Sequence, residues 1–316
     1  MTSPTAADWV IGRGLLGNPV ARALPRAPLR RSGSWGDDAA AIEDLAEGLR
    51  ALYATPSDQY RVFWCAGSGV TSSSADSLSR EEAVFSAFVG MFAELPEDLR
   101  RRTVVFLASS VGGAYAGNPS PPFSERSLAT PASAYGQTKL AMEEALGAAV
   151  AASGLRGFVG RITNLYGPGQ KLGKRQGLIS VVCETYLTRQ AATIYVSLDT
   201  LRDYIFEDDA AAVIVAGAAR AGSLARGSTA LKIIGAGRAV SIGELVATIE
   251  RVRGRRALVA YGPGNASGQA LDLRVQSEQW TDLQSLVTTS LPVGIDAVFQ
   301  AMLQTVARGP WAADAP

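Results

Sequence analysis

Tyr135 and Lys139 stand four residues apart in "ASAYGQTKLAMEEAL", a stretch rich in helix formers, so one helical turn puts phenol and ammonium on the same face. Such a pair can move a proton. A free phenol ionises near about pH 10, too high for an efficient base at neutrality, but an adjacent ammonium and an oxidised nicotinamide ring both favour the phenolate. Proton exchange with a substrate hydroxyl then becomes feasible. Lys139 is one of four lysines in a chain whose other cationic side chains are all arginines. An amine on a flexible stem can hold ribose hydroxyls and tune a phenol at once, a task the planar guanidinium fork fits less well.

Chemistry of this kind needs a hydride carrier, and "WVIGRGLLGNPVARAL" offers a place for one. Gly12, Gly14 and Gly17 form a GxGxxG spacing after an apolar strand and at the opening of a helix. Glycines let the backbone turn tightly, approach a pyrophosphate and pack helix on strand, while amides at the helix start, those of Leu15 and Leu16, face the anion. An acid at the end of the second strand usually takes the adenosine ribose of NAD. Here "APLRRSGSWGDD" presents Arg30 and Arg31, two guanidinium groups that suit a ribose 2′-phosphate and favour NADP. NAD is the alternative, with Asp37 or Asp38 on the ribose and the arginines lining a solvated edge.

These residues need a scaffold. Apolar β-rich runs alternate with Ala/Leu/Glu-rich stretches, which predicts an α/β fold with a doubly wound parallel sheet. The expected strands are Trp9 to Ile11, a weak one at Ala27 to Arg30, Arg61 to Ala66, Thr103 to Ala108, Phe158 to Asn164 and Ala230 to Ile234. The expected helices are Asn18 to Leu24, Asp38 to Tyr53, Glu81 to Phe92 and Ser133 to Ala152, the last stopped by Gly154. Ser241 and Glu244 stand at capping-box distance before a further helix, and "TTSLPVGIDAVFQAMLQTV" reads as a final one. The division expected is a nucleotide-binding domain over residues 1–165, with 203–235 returning to it. Residues 166–202 and 236–316 form a smaller, discontinuous substrate-binding lobe, frayed from Gly309 onward.

Composition narrows the function. With 30 basic against 29 acidic residues and no long basic run, nucleic acid is not the expected partner. No apolar run reaches the length of a membrane span and no signal peptide opens the chain, so a cytoplasmic enzyme with a small-molecule substrate is expected. Histidine is absent, which removes histidine bases and the commonest metal ligand. Cys65 and Cys183 suggest neither a disulfide framework nor a metal site.

The glycine turn, "RVFWCAGSG", "VVFLASSVGGAYAG" and "YGQTK", followed by "RITNLYGPGQ" and "LRDYIFEDDAA", occur in an order that resembles the extended short-chain dehydrogenase/reductase family, in its sugar-nucleotide epimerase, dehydratase and reductase branch. The resemblance runs from Val10 to about Gly237. It implies a Rossmann-like fold, with Ala66 and Gly67 beside the dinucleotide, Tyr135 as the acid/base and Lys139 on the nicotinamide ribose. A serine or threonine after the fifth strand of such enzymes binds the reacting sugar oxygen. Here Val111 holds that position, with Ser109 and Ser110 as neighbours, so either Ser110 serves through a shifted loop or the tyrosine acts with less help. The resemblance further implies that Asn164 and Arg202 contact the diphosphate of a nucleotide sugar, and that the chain is a homodimer through the alanine-rich face of the YxxxK helix. The basic loop of Lys171, Lys174 and Arg175 either wraps the nucleotide or is a solvated surface.

The reaction subtypes separate by the extra groups each requires. Similar dehydratases carry an Asp-Glu pair where this chain has Gly112 and Gly113, and epimerase-reductases use a cysteine and a histidine that have no counterpart here. Reduction of a keto-sugar nucleotide by NADPH is favoured; 4-epimerisation through a transient ketone with retained NAD is the alternative. A cofactor-binding sensor without turnover is the reading from another class.

Overall fold

The computed structural model describes residues 5–31, 33–67, 69, 73–170, 177–262 and 270–307. In chain order the elements are β1 (Ala6–Ile11), α1 (Gly17–Ala23), α2 (Asp38–Tyr53), β2 (Gln59–Trp64), α3 (Ala75–Gly90), α4 (Glu97–Arg100), β3 (Thr103–Ser110) and α5 (Val111–Tyr115). There follow α6 (Ala134–Ser153), β4 (Arg156–Ile162), β5 (Asn164–Tyr166), α7 (Leu178–Thr188), β6 (Ala192–Ile194), β7 (Leu201–Phe206) and α8 (Glu207–Ala221). The last elements among the described residues are β8 (Thr229–Ile234), β9 (Ala239–Ser241), α9 (Ile242–Arg253), β10 (Val259–Tyr261) and α10 (Leu291–Ala307).

The fold is α/β. Five parallel strands form a central sheet in the order β1-β2-β3-β4-β8. Near-continuous burial along these strands is what a sheet covered on both faces requires. Alternation divides the side chains. Trp9, Val62, Trp64 and Leu107 pack under α2, α3 and α6 with Phe85, Phe88 and Leu146, while Val10, Phe63, Phe106 and Phe158 pack under α1 and α8 with Val20 and Ile214. No helix among the described residues is long and apolar enough to cross a membrane.

Two departures from the sequence reading matter. The weak strand at Ala27 to Arg30 shrinks to a single bridge, Leu29 to Trp9, because prolines at 25 and 28 interrupt the ladder. That bridge still marks a switch point, since the chain leaves β1 to one side at Leu29 and returns on the other side at β2. The run from Phe158 to Asn164 is not one strand. Thr163 ends β4, and β5 joins a separate three-stranded sheet in the order β5-β7-β9.

Asp203 fastens this small sheet to the large one. Buried in β7, it accepts from Thr163 Oγ1 at 2.7 Å, Ala236 N at 2.8 Å and Arg238 N at 2.9 Å. Beyond it, α7, α9 and α10 enclose a second core around Tyr166, Cys183, Ile295 and Phe299. The Ser241 cap is formed, its Oγ accepting from Glu244 N at 3.0 Å.

Asp8 on β1 and Arg61 on β2 form a two-pronged ion pair at 2.6 and 2.8 Å, with side-chain exposures of 2% and 8%. Removing one partner of such a pair leaves an uncompensated buried charge. Asp8→Ala is therefore expected to destabilise the protein by about 3–5 kcal/mol, measurable by urea denaturation. A loss below about 1 kcal/mol, the scale of a solvated surface pair, would show the pair to be dispensable.

Candidate active site

The glycine turn emerges from the carboxyl end of β1 at the switch point. Gly12 has φ +87°, and a Cβ there would drive into the Ala66 backbone; a Cβ on Gly17 would drive into the carbonyl oxygen of Gly12. At Gly14 the same construction finds nothing within 4 Å. Two glycines thus lock the turn against its neighbours, and the third leaves space above it. The first turn of α1 carries neither a side-chain cap nor an acid; Asn18 N donates to Gly14 O and Val20 N to Leu16 O, both at 3.1 Å, so the amides left to an outside acceptor are those of Leu15, Leu16 and Gly17. Leu15 is half-buried and Leu16 buried, so these two contribute backbone rather than side chain on this face. Ala66 is buried and Gly67 exposed directly opposite.

A cleft of about 600 Å³ runs from the turn past Arg13, Arg30, Arg31, Trp35 and Asp44. Arg31 is tied to Glu47 at 2.5 Å and Arg13 to Asn18 Oδ1 at 3.0 Å, whereas Arg30 makes no hydrogen bond or ion pair among the described residues. The two acids expected as alternatives are used elsewhere. Asp37 caps α2 by accepting from Ala40 N at 2.8 Å, and Asp38 pairs with Arg80 of α3 at 2.8 Å. Asp44, which no motif signalled, lines the cleft instead; the Ser34 side chain first, and then the bond from Ser34 N, hold its carboxyl below the usual range. An open turn above Gly14, the amides of Leu15, Leu16 and Gly17, and a cationic cleft fit a dinucleotide.

Ser133 starts α6 by accepting from Gly136 N at 3.2 Å, which places Tyr135 in the first turn and Lys139 one turn on. The Lys139 ammonium lies 5.8 Å from the centre of the Tyr135 ring. The Tyr135 hydroxyl makes no hydrogen bond among the described residues. Lys139 is bound to Glu81 Oε1 of α3 at 2.7 Å, with side-chain exposures of 7% and 12%. Sequence reading missed Glu81, because the two residues lie 58 positions apart and the serine-rich run hid the true start of α3, which begins at Ala75 under a Ser74 cap rather than at Glu81.

At the end of β3 the two candidate hydroxyls diverge. Ser109 donates to Glu143 Oε1 at 2.5 Å; Glu143 is gripped by Arg161 at 3.0 and 2.6 Å, and Arg161 donates to the Tyr115 hydroxyl at 2.6 Å. That buried network commits Ser109. Ser110 Oγ caps α5 by accepting from Gly113 N at 3.1 Å, leaving its own proton to donate. A Cβ on Gly113 would lie 3.4 Å from Tyr135 Cε1, and one on Gly112 3.9 Å from Ser110 Oγ, so serine and tyrosine border one glycine pair. Val111 is 2% exposed, packed with Tyr115, Phe123 and Leu273.

Asn164 and Arg202 lie on the small sheet. Asn164 is exposed and its Nδ2 donates to Asp203 O at 2.9 Å. Arg202 is buried and donates to Leu201 O at 2.8 Å and Ala270 O at 2.7 Å; burial pulls its guanidinium below the ordinary value, against Tyr204 and Asp272. Residues 171–176, with Lys171, Lys174 and Arg175, and the segment from Gly309 lie outside the described residues. Burial pushes both thiols up, Cys183 to about 12, so neither is a nucleophile at neutrality.

A family model described as "NAD dependent epimerase/dehydratase family" matches residues 46–228. A dTDP-4-dehydro-6-deoxyglucose reductase of Escherichia coli is 26% identical over 201 residues, covering 63% of this chain and 61% of that protein. A dTDP-L-rhamnose 4-epimerase of Burkholderia thailandensis is 34% identical over 125 residues, covering 39% of this chain and 33% of that protein. The chain thus spans less than two thirds of the length of either relative. The fold is similar to that of a UDP-glucose 4-epimerase from Brucella ovis in complex with NAD, with TM-score 0.78 and 23% identity over 94% of this chain and 98% of that one.

Proposed function

This chain belongs to the NAD dependent epimerase/dehydratase family, and from that premise we infer that it transfers hydride at a carbon of a nucleotide-activated sugar, as a keto-sugar nucleotide reductase that favours NADPH. The observation that carries the reading is the meeting of Tyr135 and Ser110 about Gly112 and Gly113, with Lys139 over the Tyr135 ring and beside Gly67. Tyr135 donates its phenolic proton to the sugar oxygen as the carbonyl is reduced, and Ser110 donates a hydrogen bond to the same oxygen. Lys139 holds the ribose hydroxyls and favours the phenolate that Tyr135 becomes. The glycine turn and the amides of Leu15, Leu16 and Gly17 would hold the pyrophosphate, and the nicotinamide, when bound, supplies the hydride. Asn164 and Arg202 support the diphosphate of the sugar nucleotide, Arg202 as a dehydrated cation whose charge is weakly screened.

The preference for NADPH is supported by Arg13, Arg30 and Arg31 along one cleft and by the engagement of Asp37 and Asp38 elsewhere. Arg30→Ser is expected to weaken NADPH about 10- to 100-fold, the worth of a charged hydrogen bond, and to leave NADH nearly unchanged in a fluorescence titration. Equal loss for both would remove the 2′-phosphate role. Asp44 in the same cleft favours a second reading, a 4-epimerase with retained NAD. Mass spectrometry of freshly purified protein separates them: tightly held NAD supports the epimerase, while an empty protein that oxidises NADPH with a keto-sugar nucleotide supports the reductase. Binding without oxidation over a broad panel of sugars would leave a sensor.

A further inference from the structure

Glu81 places a carboxylate inside the catalytic cluster, and no motif of the sequence accounts for it. Its Oε1 takes the Lys139 ammonium at 2.7 Å and its Oε2 lies 3.3 Å from Gly69 N. A Cβ on Gly67 would lie 2.7 Å from Glu81 Oε1 and 3.3 Å from Lys139 Nζ, and one on Gly69 would lie 3.3 Å from Glu81 Oε2 and 3.5 Å from Tyr135 Cδ2. The absence of side chains at 67 and 69 is therefore what lets this carboxylate sit beside both the lysine and the tyrosine. The neighbouring charges are matched elsewhere: Arg80 by Asp38, Glu143 by Arg161. The pair is nearly dry, so its field reaches farther than that of a surface pair.

An oxidised nicotinamide ring is a cation and the reduced ring is neutral. A fixed negative charge nearby therefore stabilises one redox form of a bound dinucleotide over the other, and the lysine opposes it. We propose that Glu81 is a positioning residue that sets the balance of affinity between oxidised and reduced dinucleotide, by offsetting part of the charge of Lys139 beside the nicotinamide end of the site. This rests on the dinucleotide reading above. Without the carboxylate, the uncancelled ammonium repels the oxidised ring, so the protein discriminates in favour of the reduced form.

The test is direct titration with the oxidised and reduced forms of the same dinucleotide, read by calorimetry and reduced-nicotinamide fluorescence, with no turnover involved. Glu81→Gln keeps the shape and removes the charge, and is expected to shift the ratio of the two dissociation constants toward the reduced form by on the order of tenfold. Lys139→Gln leaves the carboxylate uncancelled and is expected to shift the ratio by a similar factor the other way. The double variant restores neutrality and returns the ratio close to that of the unaltered protein. A purely structural role would weaken both forms together in every variant, and a ratio unchanged within about twofold would overturn the proposal. If Glu81→Gln fails to fold, Lys139→Gln alone decides by the direction of its shift. Failure of the unaltered protein to bind either form would instead sink the dinucleotide reading, and this inference with it.

Discussion

Tyr135→Phe is expected to lower turnover by about 100- to 10,000-fold, the range attributed to a positioned acid or base, while leaving dinucleotide affinity nearly intact. The separation follows from what the ring touches. Tyr135 meets Gly113 with one edge and approaches Gly69 with the other, and the Lys139 ammonium lies over its face. Phenylalanine preserves each of those contacts. Only the hydroxyl is lost, and that hydroxyl binds nothing within the described protein. Titration of the variant with NADPH, followed by a single-turnover assay, distinguishes lost chemistry from lost binding. Near-full turnover would identify another group, Ser110 first, as the acid.

The second large effect separates two glycines three residues apart. Gly17→Ala is expected to cost about 3 kcal/mol or more, beyond ordinary overpacking, because its Cβ meets the Gly12 carbonyl oxygen, which cannot rotate away. Gly14→Ala meets nothing in the free protein and should melt at the same temperature as the original. Its methyl group would instead occupy the space above the turn and weaken dinucleotide binding by at least about tenfold, since close backbone approach is what the motif provides. Calorimetric melting and dinucleotide titration on both variants check the contrast. If Gly14→Ala bound NADPH normally, the phosphates would not lie over this turn.

The elements governed by local signals were legible. α2 runs from Asp38 to Tyr53 as read, because Asp37 is an N-cap that requires no tertiary help, and α6 ends at Gly154, whose φ of +72° is the left-handed stop expected of that residue. The local geometry of GxGxxG and of YxxxK could be read because each is set within a few successive residues of chain. The arrangements that could not be read join distant residues. Lys139 finds Glu81, Arg161 finds Glu143 and Tyr115, and Asp8 finds Arg61, none of them signalled by spacing. The choice between Ser109 and Ser110 was likewise open. Successive strand residues face opposite ways, and only packing against α6 decides which hydroxyl Glu143 captures. Strand breaks failed for a related reason, since Thr163 separates β4 from β5 through its bond to Asp203, forty residues on.

The cluster around Tyr166, Cys183 and Phe299 draws on helices α7, α9 and α10, whereas every strand of the central sheet has been supplied once Ile234 is in place. A chain emerging from the ribosome can therefore assemble its central sheet while this second core still lacks α10. The apolar surfaces on α7 and α9 then wait uncovered until α10 is made, which makes this core the part most exposed to chaperones during synthesis.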